Sequence, residues 1–338
     1  MNSKPATPHV LLRAAAVAAA GLLLHASPVQ AQPQITADAV LTDAGVSAGD
    51  KQRALGGEFV TFDIPTVSER DLSIGIVFLV KATPDALAKE VVLGELLRDD
   101  PQVQAHGEIT GAGAAANFAG VKVDAKSAAR FAGAEPGEGL NLSTAEIAAF
   151  GALHGNDPAT VQPQLRSMLL ARYQAYQASG LGGIAPYDRG GSSSDPAADL
   201  RKATGAAARL KKYLPAFQQV LLDYPQATLP GMVQRNLWLN YDIDGVTTYV
   251  LTHLLLASDG DTRAVVQRQY YVSTGYNAEQ AIAAFLPVPE GTLVVYTNHT
   301  FTDQVAGWGG STKRSIGRHM MESKLQAMFD RERKDVAK

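Results

Sequence analysis

Side chains able to bind or react concentrate between residues 253 and 318. His253 stands inside the apolar run LTHLLL, and Arg268 and Tyr270 follow at a spacing of two. On a strand that spacing puts Arg268 and Tyr270 on one face, with Tyr271 and Ser273 on the other. Tyr296, Asn298 and Thr300 repeat the pattern, with His299 and Phe301 opposite. Polar groups on otherwise apolar strands are either hydrogen-bonded core residues or the lining of a pocket. The first reading suits a lone histidine among leucines. The second suits the set as a whole: tyrosine, arginine and asparagine beneath a methionine-rich helix would hold an amphipathic molecule. At the level of sequence both stay open.

A third group follows the stretch Gly307-Trp308-Gly309-Gly310-Ser311-Thr312, where a helix is expected to start. A helix N-terminus carries unpaired N–H groups and a partial positive charge. Lys313, Arg314 and Arg318 add cations there, and an anionic headgroup such as phosphate, sulfate or carboxylate would relieve them. The structural alternative is neutralisation by Asp303 or another carboxylate. The order is not that of a nucleotide-binding P-loop, because Lys follows the Ser-Thr pair. The candidate ligand-binding set is therefore His253, Arg268, Tyr270, Tyr296, Asn298, Lys313, Arg314 and Arg318.

Other chemistry is thinner. Cysteine is absent, which removes thiol catalysis and cysteine-based zinc sites. His319 and Glu322 stand at i and i+3 on the expected helix, but one pair is not a metal site. Asp242-Ile-Asp244-Gly245 begins like a calcium loop, yet His253 occupies the twelfth position, so a hairpin turn fits better. No G-x-S-x-G elbow is present. Ser273, His299 and Asp303 fail as a triad, because His299 and Asp303 would lie about 13 Å apart along one strand. A hydrolase or lyase using His299 or His253 with Tyr270 stands as the catalytic alternative. A cell-envelope protein using the tyrosine-rich strands as an interface stands as the structural one. Neither a cofactor nor a metal is expected.

The elements that must position these groups read as follows. Residues 36–46 suggest a short helix or a mobile lead, 58–64 a strand, and 72–81 (LSIGIVFLVK) a central strand. Thr83-Pro84 opens a helix running to about residue 98, and 103–109 is the next strand. Ser143 and Glu146 have capping-box spacing. A long helix over 161–179 ends at Gly180, 190–196 is a surface loop, and 199–224 is one helix or two, divided near Pro215. Strand composition then returns at 235–242, 247–258, 264–274 and 292–303. Asp-Gly pairs at 244–245 and 259–260 mark tight hairpins. Residues 278–285 suit a short helix or strand. From Ser311, Ile316, Met320, Met321, Leu325, Met328 and Phe329 recur at helical spacing.

The N-terminus carries Lys4 and Arg13 and then an 11-residue apolar run, 14–24. About 20 residues are needed to span a bilayer, so this run reads as a cleavable export signal. Small residues at Val29 and Ala31 place the cut after Ala31. The expected domains are a signal peptide over 1–31 and one mature domain over 32–338, acting in the periplasm. A net charge of −3 gives no reason to seek nucleic acid. No later run suits a transmembrane anchor.

Segregated helices and antiparallel strands predict an α+β fold. We expect a curved sheet gripping one long C-terminal helix, with a helical insertion over about 141–225. Residues 74–109, a strand followed by a Thr-Pro-Asp helix and another strand, resemble the opening of START-type helix-grip proteins. The closing meander and helix resemble their end. The chain also resembles a family of uncharacterised secreted bacterial proteins. The resemblance lies in LLARYQAYQASGLGGIAPYDR (169–189), YLPAFQQVLLDYP (213–225), TYVLTHLLLAS (248–258), RQYYVSTGYN (268–277) and LVVYTNHTFTDQVAGWGGSTKRSIGR (293–318). That family has no established activity, so it implies no functional residues. Many members carry a cysteine pair near the stretch matching 131–140, and this chain has none. The expected function is binding or carriage of an apolar or amphipathic small molecule or lipid, with an anionic head where the 313–318 cations would meet it.

Overall fold

Apolar and β-branched residues in DLSIGIVFLV make β2 (Asp71–Val80) a strand buried on both faces. The same logic builds β6 (Val233–Ile243), β7 (Val246–Asp259), β8 (Thr262–Val272), β9 (Ala278–Val288) and β10 (Gly291–Phe301). With β1 (Val60–Phe62) and β3 (Val103–Ile109) they form one curved sheet in the order β1-β2-β10-β9-β8-β7-β6-β3. Every neighbouring pair is antiparallel. The expected meander is thus present, and 278–285 belongs to a full central strand. In the computed structural model the described residues are 36–93, 100–137, 139–243, 245–307 and 309–336. The expected export segment 1–31, Asp244, Trp308, and the side chains of Ser311, Met328 and Phe329 lie outside them.

Turn and cap chemistry sets several boundaries. Gly245 takes a positive φ of 75° between β6 and β7, and its N–H donates to Asp242 Oδ1 at 2.7 Å. Helix α1 (Ala37–Asp43) starts where Thr36 Oγ1 accepts from the Ala39 N–H. Helix α2 (Ala48–Leu55) follows, and α3 (Pro84–Leu93) opens at the expected proline with Thr83 accepting from Ala86.

Between β3 and β6 lies the helical block: α4 (Ala125–Ala132), α5 (Thr144–Gly151), α6 (Pro158–Ser179), α7 (Pro196–Ala206), α8 (Ala208–Tyr213) and α9 (Pro215–Asp223). It begins earlier than the expected residue 141, at a helix capped by Asp124. The capping box of α5 is complete: Glu146 Oε2 accepts from the Ser143 N–H, and Ser143 Oγ from the Glu146 N–H. The 199–224 stretch makes three helices, because the chain also leaves helical geometry at Ala207. The expected loop over 190–196 supplies the turn and second strand of a small hairpin, β4 (Tyr187–Asp188) with β5 (Ser193–Ser194).

The sheet is covered on both faces. On one face, α1 and α2 bury Leu41 with Phe62, Val77 and Leu293, and α8 and α9 bury Phe217 and Leu221 with Leu255 and Val266. The rest of the block packs Tyr173, Tyr176 and Leu200 against Trp238, Tyr249 and Tyr271. On the other face sit only α3 and the terminal helix α10 (Gly310–Val336) among the described residues. No described helix is long and apolar enough to cross a membrane.

Candidate functional site

Two helices cannot fill the second face, and a cavity of about 650 Å³ remains beneath them. Period-two alternation selects its floor. Antiparallel register pairs Glu279 with Thr300, Ala281 with Asn298, Ala283 with Tyr296, and Phe285 with Val294, and all eight side chains line the hollow. The two alanines leave room that larger residues would occupy. The roof comes from Leu87 and Val91 of α3 and from Gly317, Met321 and Leu325 of α10, spaced at i, i+4 and i+8. Gly317 lets α10 lie close to β2, since an added Cβ would stand 3.1 Å from Leu72 Cδ1.

Polarity runs along the strands. One end is apolar, with Phe78, Val80, Val265, Phe285 and Val294. The other gathers Gln269, Tyr276, Glu279, Asn298 and Thr300. There Thr300 Oγ1 lies 2.8 Å from Asn298 Oδ1 and 3.3 Å from Glu279 Oε2. Asn298 Nδ2 donates to Tyr296 OH at 3.1 Å, and Tyr276 OH donates to Gln269 Oε1. Burial pushes the Glu279 carboxyl up to about 7, against the opposing hydrogen bonds of Thr300 and Asn298. Burial, and after it the nearby Glu279 charge, also raises the Tyr276 and Tyr296 phenols. Among the described residues lining the cavity there is no Lys, Arg or His.

The candidate set from sequence divides into three places. Tyr296 and Asn298 line the cavity. Arg268, Tyr270 and His253 point the other way, into the sealed layer under the helical block. Arg268 is 0% exposed, and neutral acceptors meet it: Gln280 Oε1 at 2.9 Å, the Leu221 carbonyl at 2.9 Å and Thr204 Oγ1 at 3.3 Å. The Tyr270 ring stacks on Tyr176 with centroids 4.0 Å apart. Tyr176 OH lies 3.0 Å from His253 Nδ1, and Gln234 Oε1 lies 3.2 Å from His253 Nε2. That pairing selects the Nε2–H tautomer. Burial, then the Arg268 charge, presses the imidazole down to about 3, so it stays neutral. His253 is the satisfied core histidine of the two readings.

Among the described residues, Lys313, Arg314 and Arg318 do not converge on one anion site. Lys313 is exposed, Arg314 donates to the carbonyls of Glu69 and Val305, and Arg318 pairs with Asp63. Local partners therefore satisfy both arginines. Of the structural alternative, Asp303 or another carboxylate, the second form holds for Arg318 through Asp63, whereas Asp303 pairs with Arg189 at 2.9 Å and accepts from Ser194 Oγ at 2.6 Å. Tyr270 and Tyr271, expected on opposite faces, both pack under the helical block. The β7–β8 register steps from Leu251↔Tyr271 to Thr252↔Gln269, so Tyr270 is the extra residue of a bulge. His299 Nδ1 meets Asp71 at 2.9 Å and Ser273 Oγ accepts from the Tyr249 N–H, so neither joins a triad. No group of three metal-ligating side chains occurs among the described residues.

Sequence reasoning missed Glu279. Its signal was present: it shares strand parity with Ala281, Ala283 and Phe285, a lone acid in an apolar series. No family model matches the chain, and neither a curated protein nor a solved structure matches it.

Proposed function

We propose that the protein binds or carries an apolar or amphipathic small molecule in the cavity between the sheet and α10. One observation carries this reading: a hollow of about 650 Å³ walled mainly by apolar side chains, with Glu279, Asn298 and Thr300 clustered at one end of its floor. Such an arrangement suits a ligand with a long apolar body and a single polar end. Met320 and Met321 at the roof adapt to irregular shapes. Placing β10 beside β2, with the terminal helix across the same face, supports a START-like helix grip. The apolar run at 14–24 supports export to the periplasm, in keeping with the resemblance to secreted bacterial proteins. The catalytic alternative loses ground because His253 and Tyr270 are sealed from solvent and from the cavity.

The test is direct. Natively purified protein is extracted and its bound small molecules are identified by mass spectrometry. The same protein is titrated with the neutral dye N-phenyl-1-naphthylamine. Dye fluorescence should rise with a saturable curve, and Ala283→Phe, which fills the cavity, should weaken binding at least tenfold. A ligand-free protein that takes up no dye refutes the reading.

A further inference from the structure

We propose that Glu279 makes the cavity selective for a ligand whose polar end is a protonated amine. This inference rests on the cavity-binding reading and names the chemistry of its polar end.

Glu279 is the one carboxylate on the strands that floor the cavity, and among the described residues it makes no ion pair. Its internal partners are the Thr300 hydroxyl and the Asn298 amide, both neutral. An ionised carboxylate accepts about four hydrogen bonds, so capacity remains for a ligand. The neighbouring groups are already engaged. Asn298 donates to Tyr296, Thr300 lies against Asn298 Oδ1, and Gln269 accepts from Tyr276.

Among the described residues that line the cavity, every charge is of the same sign. From the sheet come the phenols of Tyr241 and Tyr296, and beside it Tyr276. Before β3 comes Asp100, and Glu90 of α3 lines the cavity elsewhere on its roof. From α10, Gly317 and Met321 are uncharged. A carboxylate or phosphate head would meet acids without a counter-cation. An ammonium would gain the missing partner for Glu279, with aromatic rings close by that favour cations. The cavity therefore reverses the sign expected from Lys313, Arg314 and Arg318, which serve the outside of the helix.

Proton balance gives the pH dependence. The Glu279 carboxyl is pushed up to about 7 in the empty cavity, whereas an alkylammonium stays protonated until about pH 10. Binding therefore drives one proton off Glu279 wherever that group was neutral. Above pH 8 the carboxylate is already formed and no proton is released. At pH 5 the amine must displace it, which weakens binding by up to about 100-fold for two units below the carboxyl value.

The test uses the full mature chain with three probes of equal length: dodecylamine, dodecanol and dodecanoate. Affinities come from displacement of N-phenyl-1-naphthylamine at pH 8 and pH 5. The expected result at pH 8 is dodecylamine at least tenfold tighter than dodecanol, and dodecanoate weaker than both. The amine-to-alcohol ratio should fall more than tenfold at pH 5. Glu279→Gln should erase the preference for the amine over the alcohol. The pH dependence of the wild-type ratio needs no variant, so the proposal stays testable if Glu279→Gln misfolds. Dodecanol binding without an amine preference, or a pH-independent ratio, overturns this inference and leaves the cavity reading standing. Binding of none of the probes or the dye overturns both.

Discussion

Replacing Glu279 by Gln should stabilise the ligand-free protein at pH 8 and leave it nearly unchanged at pH 5. The folded carboxyl sits at about 7, against an ordinary value of 4.5, because burial disfavours its charge. Between those two values the native state holds a proton that the unfolded chain releases. Stability therefore falls as pH rises through this window, and the full cost stands above pH 7. Raising the carboxyl from 4.5 to about 7 corresponds to about 3.5 kcal/mol of lost stability. Glu279 opens onto the cavity, so water there trims the figure to about 2 kcal/mol. Glutamine keeps the shape and an acceptor for Thr300 but carries no charge. For a domain this large the gain should raise Tm by about 4–6 °C at pH 8. Calorimetric scans of both proteins at pH 5 and pH 8 measure the difference. An equal offset at both pH values, or a less stable variant at pH 8, would refute a charged, desolvated carboxylate in the cavity.

Other outcomes follow from the opposite face and from the sheet register. His253 is held neutral well below its ordinary 6.5, so its contribution is complete above pH 6.5 and is lost as pH falls toward 3. The stability gap between wild type and His253→Gln, read by urea titration, should narrow steadily from pH 7 to pH 4. Gly180 ends α6 at φ 54°, and an added Cβ would collide with the Tyr224 carbonyl. Gly180→Ala should cost about 3 kcal/mol or more and lower Tm by several degrees. Gln269 faces Glu279 across the β8–β9 ladder. Gln269→Lys should pair with that carboxylate, pull it down toward the ordinary range and flatten the wild-type loss of stability between pH 5 and pH 8.

Much of the architecture was legible in local signals. The limits of β3 and the capping box of α5 were read directly, because alternation and capping are local chemistry. The Asp242–Gly245 turn was legible for the same reason. Parity within a strand was also legible: Tyr296 and Asn298 do share the cavity face. What parity cannot reveal is which face is hollow. Arg268 and Tyr270 looked equivalent to Tyr296 and Asn298 in the sequence, yet the helical block covers one pair and α10 only roofs the other. That difference depends on long-range packing. The bulge at Tyr270 was hidden too, since one inserted residue leaves the apolar pattern of YYV unchanged.

The arrangement at β9 explains how the cavity keeps an unpaired acid beside a buried arginine. Arg268 pairs in register with Gln280, and Gln269 with Glu279. Successive residues face opposite sides, so the guanidinium lies under the helical block while the carboxylate lies in the cavity. The backbone layer of the sheet separates them. Neutral groups on Gln280, Thr204 and Leu221 satisfy the arginine on its own side, so it does not need the acid. A one-residue slip of either strand would bring one charge through to the other face. A slip of β9 would also turn the alternating Ala281, Ala283 and Phe285 out of the cavity and break Ile282 away from Phe217 and Leu221. The apolar residues thus fix the register, and the register in turn fixes the sign of the cavity. The charge that the cavity presents is set by core packing on the opposite face of the sheet.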